Sequence, residues 1–173
     1  MVADKHISQE YKMTKSYKMM WRDGLIVDGL SHGFDIKNFA EYTPGRQFVA
    51  QSGHSYERFG VRAPKPVFHF CDNAIDTLMW YWQVFDFMDY DAPVIHFFEI
   101  KPLAPVFKNQ APDETMLWQC GTNKLEIVRE TSLQQVAKDA CVEIEQNKSE
   151  IIARYPHYNM DMYIKKIIRC ACK

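Results

Sequence analysis

Residues 66–73 read Pro-Val-Phe-His-Phe-Cys-Asp-Asn, and residues 93–103 read Pro-Val-Ile-His-Phe-Phe-Glu-Ile-Lys-Pro-Leu, with a helical stretch between them. Two apolar strands therefore flank one amphipathic helix. Side chains alternate faces along a strand. Val67, His69 and Cys71 share one face of the first strand, and Phe68 and Phe70 share the other. In the second strand Val94, His96, Phe98 and Ile100 fall together, opposite Ile95, Phe97 and Glu99. Neither strand alternates cleanly between apolar and polar, which predicts burial on both faces. Asp72 or Asn73 can cap the intervening helix. Ile75, Leu78, Met79 and Trp82 recur at helical spacing and predict the stripe that packs on the sheet.

Working outward, the chain has 173 residues, enough for one domain with its own core. Hydrophobic residues are 47% and charged residues 25%, as in ordinary globular proteins, while aromatics at 14% predict a broad aromatic core or an aromatic-lined groove. The formal net charge of −1 supplies no basic footprint, so no nucleic-acid partner is expected. The five cysteines are an odd number in no framework spacing. No leader pattern and no apolar run of membrane length is present. These features predict a cytoplasmic protein with free thiols and no membrane association.

The predicted organisation has three parts. Residues 1–15 form a polar, loosely held N-terminal segment. Residues 16–131 form a sheet-rich core, beginning with a strand over Ser16–Trp21, a turn at Arg22-Asp23-Gly24 and a short strand over Leu25–Val27. Residues 28–65 read as loops with short strands around Phe34–Phe39 and Phe48–Ala50. After the strand–helix–strand unit come a polar stretch over Lys108–Thr115 and one or two strands across Met116–Glu130, where Leu125, Ile127 and Arg129 fall on one face. Residues 132–173 are a helical extension. Ser132 and Gln135 make a capping box, and Leu133, Val136, Ala137, Ala140, Ile144 and Ile151 form an apolar stripe. Tyr155-Pro156 ends that helix. A last one from about Asn159 presents Met160, Tyr163, Ile164, Ile167, Ile168 and Ala171. Strands first and helices last predict an α+β fold.

Several features carry chemistry, each beside a plainer reading. His69 and His96, on neighbouring strands, can orient a ligand or serve as a general base, or can be buried histidines bonded to backbone carbonyls. His69, Cys71, His96 and Cys120 supply zinc-type ligands, but their spacing matches no finger or ribbon, so no metal is expected. Cys71 precedes a helix and can be read as an activated thiol or as a core residue. The aromatic string from Trp80 to Tyr90 either lines a stacking groove or fills the core. Arg46, Arg58 and Arg62 crowd a loop region with Gln47, His54 and Tyr56, where they either clamp a pyrophosphate or are solvated. Lys165, Lys166 and Arg169 on the last helix are either a partner-docking face or an ordinary solvated surface.

Four blocks then carry a resemblance: Phe68-His69-Phe70-Cys71-Asp72-Asn73-Ala74-Ile75-Asp76, Trp80-Tyr81-Trp82, His96-Phe97-Phe98-Glu99-Ile100, and Thr122 through Glu130. Over about residues 17–135 this order resembles a small, uncharacterised bacteriophage and bacterial domain family. It also resembles the rifampin-type ADP-ribosyltransferases. That resemblance implies a split-sheet, antiparallel or mixed, ADP-ribosyltransferase-like core. It also implies NAD as the cofactor and a host protein as the partner in the host cytoplasm. His69 stands where the family's second-motif tyrosine falls. Asp113 or Glu114 is the nearest match to its acidic residue, so His69, Asp113 and Glu114 are the implied catalytic set. Arg46, Arg58, Arg62 and Trp80 are the implied cofactor-binding set. The first motif departs from the family, because Tyr17-Lys18-Met19-Met20-Trp21 has methionine where a histidine is expected. The alternative is a catalytically inactive binding protein that kept the scaffold and modulates a host protein.

Overall fold

The computed structural model describes residues 15–21, 42–50, 68–87, 95–108 and 120–173. The predicted short strands over Leu25–Val27 and Phe34–Phe39 lie outside these residues. So do Arg58, Arg62, Asp113 and Glu114. Among the described residues the strands are β1 (Ser16–Trp21), β2 (Gln47–Val49), β3 (Phe68–Phe70), β4 (Ile95–Pro102), β5 (Val106–Lys108), β6 (Cys120–Thr122) and β7 (Lys124–Thr131). The helices are α1 (Ala74–Phe87), α2 (Leu133–Arg154) and α3 (Met160–Ala171). The α+β class is as the sequence predicts, with antiparallel sheets and C-terminal helices.

The strands form a four-stranded sheet, β1-β4-β7-β2, and a three-stranded sheet, β3-β6-β5, in which every pairing is antiparallel. Just past β3 a lone bridge ties them: Tyr17 N–H donates to the Cys71 carbonyl at 2.9 Å, and Cys71 N–H donates back at 3.0 Å. One hydrogen-bonded path thus runs from β2 through β1 into the small sheet. At the other end Gly45, in the turn before β2, takes φ 82° and donates its N–H to the Ile127 carbonyl at 2.8 Å. That backbone region favours glycine because it has no Cβ to clash.

The four-stranded sheet is buried on both faces, as β4 predicts. Phe98 and Ile100, with Leu125 and Ile127, pack against Phe68, Phe70 and Cys120 of the small sheet and against Tyr42. Phe97 and Tyr17 face the other way, into a core shared with all three helices. The α1 stripe of Ile75, Leu78, Met79 and Trp82 is buried there, beside Val136, Ala137, Ala140, Ile144 and Ile151 of α2 and Met160, Ile164 and Ile167 of α3. Ile168 departs from its predicted stripe and is 48% exposed. Arg129 also departs, because the β4–β7 register shifts between Glu99 and Ile100. Ile127 pairs with Ile100 whereas Arg129 pairs with Glu99, leaving Val128 as the extra residue of a bulge. The shift carries Arg129 to the helical face, where its Nε meets Glu99 Oε2 at 2.7 Å.

The helix ends are closed by side chains. Ser132 Oγ accepts the Gln135 amide at 3.1 Å, and Asn159 Oδ1 accepts the Met162 amide at 3.2 Å. Helix α2 breaks its regular geometry at Asn147 (φ −143°, ψ 37°) and ends at Tyr155. An asparagine inside a helix competes for backbone hydrogen bonds and weakens it locally. No helix among the described residues is long and apolar enough to cross a membrane.

Candidate functional site

Of the residues that the resemblance singles out, the small sheet holds His69. His69 sits at the centre of β3, in register with Gly121 of β6, which is itself in register with Phe107 of β5. The middle of that row is a strand glycine. Strand glycines mark places where a ligand or a second backbone approaches closely, because no side chain stands in the way. Connectivity supplies the rest. The chain bearing Asp113 and Glu114 runs from Lys108 at the end of β5 to Cys120 at the start of β6, and the chain bearing Arg58 and Arg62 leads from β2 into β3.

The two histidines do not lie on neighbouring strands. His69 belongs to the three-stranded sheet, whereas His96 lies in β4 of the four-stranded sheet. This corrects the sequence expectation of two histidines on neighbouring strands. Instead β1 and β7 flank β4, and β6 pairs with β3. His96 Nδ1 lies 2.7 Å from Glu130 Oε1, and its ring stacks on Phe98 with centroids 6.4 Å apart. Across the strand pair His96 stands opposite Met20, and Phe97 opposite Met19. An imidazole is therefore held by a carboxylate beside the two methionines of β1.

Trp80 is 7% exposed and packs in the core shared with the helices, so its indole has no open face for a nicotinamide ring. Arg46 follows the Gly45 turn, with its guanidinium 5.7 Å from the Phe48 ring centroid. Its backbone is engaged on both sides, with the N–H donating to Thr43 and the carbonyl accepting from Ile127. Cys71 and Cys120 are both buried. Burial, reinforced by the nearby Asp76 charge, pushes the Cys71 thiol well up, and burial pushes Cys120 up to about 12. A thiol with a raised pKa is a poor nucleophile at neutral pH, so Cys71 is a core residue despite preceding a helix. Cys71 also packs in the helical core and Cys120 in the inter-sheet core, so they serve opposite sides.

A polar network at the start of α1 was not foreseen. Asp76 is fully buried. Its carboxylate accepts from Arg154 at 2.5 Å, from Asn73 Nδ2 at 2.6 Å and from the Tyr155 hydroxyl. Asn73 also caps α1, accepting the Asp76 amide at 2.8 Å. From α2, Glu143 reaches the same helix end and accepts the amides of Ala74 at 2.8 Å and Ile75 at 3.0 Å. Burial pushes Glu143 up to about 7, against the pull of those amides, and the Asp76 charge adds to the rise. At the rim, Lys108 Nζ meets Asp72 Oδ2 at 2.6 Å. Every carboxylate in this network is met by a donor of the chain itself. The arrangement therefore ties α1 to α2 and to the small sheet. A second tie fastens β1 to α2, where Asp139 accepts from Tyr17 and from Lys15. Burial alone would raise the Asp139 carboxyl, but these hydrogen bonds hold it below its ordinary range.

No family model, curated protein or solved structure matches this chain.

Proposed function

We propose that this is a phage-type, ADP-ribosyltransferase-like protein that binds NAD, or a fragment of it, at the three-stranded sheet and acts on or binds a host macromolecule. The observation that carries this reading is the His69–Gly121–Phe107 row. His69 is in register there with a strand glycine, and in sequence Asp113 and Glu114 fall between β5 and β6, and Arg58 and Arg62 between β2 and β3. On this reading His69 meets the nicotinamide or ribose end and an arginine meets the pyrophosphate. Asp113 or Glu114 lies near the developing oxocarbenium-like charge. Losing one preorganised electrostatic contact of this general type costs roughly 10²–10³ in rate.

The test is calorimetric titration and thermal shift with NAD. Binding that is lost in His69→Ala, with the melting temperature of the free protein unchanged, supports the site. Absence of heat and of any shift at millimolar NAD removes it. Transfer of label from radiolabelled NAD to host lysate then separates enzyme from binder. A second reading, a scaffold that binds a host protein without catalysis, is favoured by β1, where methionine replaces the expected histidine, and by the core packing of Trp80.

A further inference from the structure

Helix α3 uses one face for the core and leaves a chemically distinct stripe outside. Met160, Ile164 and Ile167 are buried. Met162, Lys165, Lys166 and Arg169 fall at positions i, i+3, i+4 and i+7, so they share a second stripe along the helix. These four, with Asn159 and Asp161, line a groove of about 460 Å³. Met162 is 45% exposed within it. Lys166 Nζ is held over two aromatic rings, 5.3 Å from the Trp82 centroid and 5.6 Å from that of Tyr163. Its ammonium is thereby held on the rings at the edge of the groove, leaving Lys165 and Arg169 as the cations not so engaged. Among the described residues, neither Lys165 nor Arg169 is in an ion pair with a carboxylate. Asp161, at the helix N-terminal end of the groove, is its one acidic lining residue.

We propose that this groove docks an acidic segment of another protein, one that presents carboxylates to Lys165, Lys166 and Arg169 and an apolar side chain to Met162. Charge complementarity chooses the occupant. Three cations on a chain of net charge −1 make a local basic strip, not a field. A nucleic-acid duplex gains its affinity from many phosphate contacts, more than three cations can supply. A lipid surface needs an apolar face to insert, and the apolar face of α3 is spent on the core. A peptide with spaced carboxylates needs no more than the stripe provides. This inference is independent of the NAD reading, because α3 contributes nothing to the small sheet.

The test uses the full chain and an array of short synthetic peptides that combine glutamate with leucine or methionine. Each is paired with a glutamine-for-glutamate counterpart and measured by fluorescence anisotropy at low and physiological salt. Acidic peptides should bind and their glutamine counterparts should not. Reversing the stripe with Lys165→Glu and Arg169→Glu should weaken binding by roughly tenfold or more, since like charges facing across an interface cost several kcal/mol. Both side chains lie outside the core, so the melting temperature should hold. Met162→Ala should weaken binding without altering its salt dependence. The proposal is overturned if no acidic peptide outperforms its counterpart, or if charge reversal leaves binding unchanged. Tighter binding of a single-stranded oligonucleotide or of anionic vesicles would also overturn it, as would self-association that disappears on charge reversal.

Discussion

Asp76 shows how much one residue organises. It lies one position after Ile75 of the buried α1 stripe, so the helix itself carries it inward. A buried carboxylate is costly unless paired and hydrogen-bonded. Burial raises its pKa, while Arg154, Tyr155 and Asn73 pull the other way. Glu143 has the same origin. It sits three residues after Ala140 and one before Ile144, on the edge of the α2 stripe. That position was the one signal in the sequence that Asp76 would be buried and Glu143 half-buried. Their partners were not legible, because Arg154 is 78 residues from Asp76 and Glu143 is 69 from Ala74. Glu143 gives the pH prediction. Its folded pKa of about 7 is above the ordinary glutamate value, so the folded state holds the proton more tightly than the unfolded chain. The stability this contributes is full below the unfolded pKa and is lost as pH rises through about 7. Glu143→Gln should flatten that pH dependence, while keeping one acceptor where the carboxylate offers two to the Ala74 and Ile75 amides. Denaturant melts of both proteins across this pH range check it. A variant less stable at pH 8 would mean that the charged cap on α1 outweighs its burial.

At the scale of elements, α2 and α3 cover what α1 exposes. A chain ended at Thr131 would lose the buried faces of both helices and leave Ile75, Leu78, Met79 and Trp82 open to water. Each such side chain contributes about 1.5–3 kcal/mol by burial, so the truncated protein should not melt cooperatively. Circular dichroism measures this, and a truncated chain that melts like the whole would refute the packing. Ser132→Ala, the milder change, should cost about 1 kcal/mol through the lost cap. These helices were legible because both the period of their apolar residues and their capping residues are local. The α1 stripe and the β1 limits were legible for the same reason. Strand β5 was not, since three residues with an exposed–intermediate–exposed pattern leave no period to read. The β7 bulge was equally hidden. Leu125, Ile127 and Arg129 alternate perfectly in sequence, and only pairing with Glu99 and Ile100 shows the extra residue. Of the candidate site, His69 was legible as a polar residue inside an apolar strand. Gly121 was not, because the row it forms depends on two pairings distant in sequence.

For the whole molecule the decisive feature is a sheet with a core on each side. Phe97 faces the helices and Phe98 faces the small sheet, though they are adjacent in β4. Because both cores rest on one sheet, the described regions should unfold together. Phe97→Ala and Phe98→Ala should each cost about 3–5 kcal/mol and lower the same transition. Scanning calorimetry should therefore show one peak in each variant. Two peaks in either would mean that the helical layer and the small sheet unfold separately. The same doublet has a consequence for descent. A change that reshapes the helical side meets Phe97, and one that reshapes the small sheet meets Phe98. A change on the exposed face of α3 can therefore be made without disturbing the strands around His69. A lineage built on this plan is free to vary one side of the sheet while inheriting the other, with two neighbouring codons marking the border between the two histories.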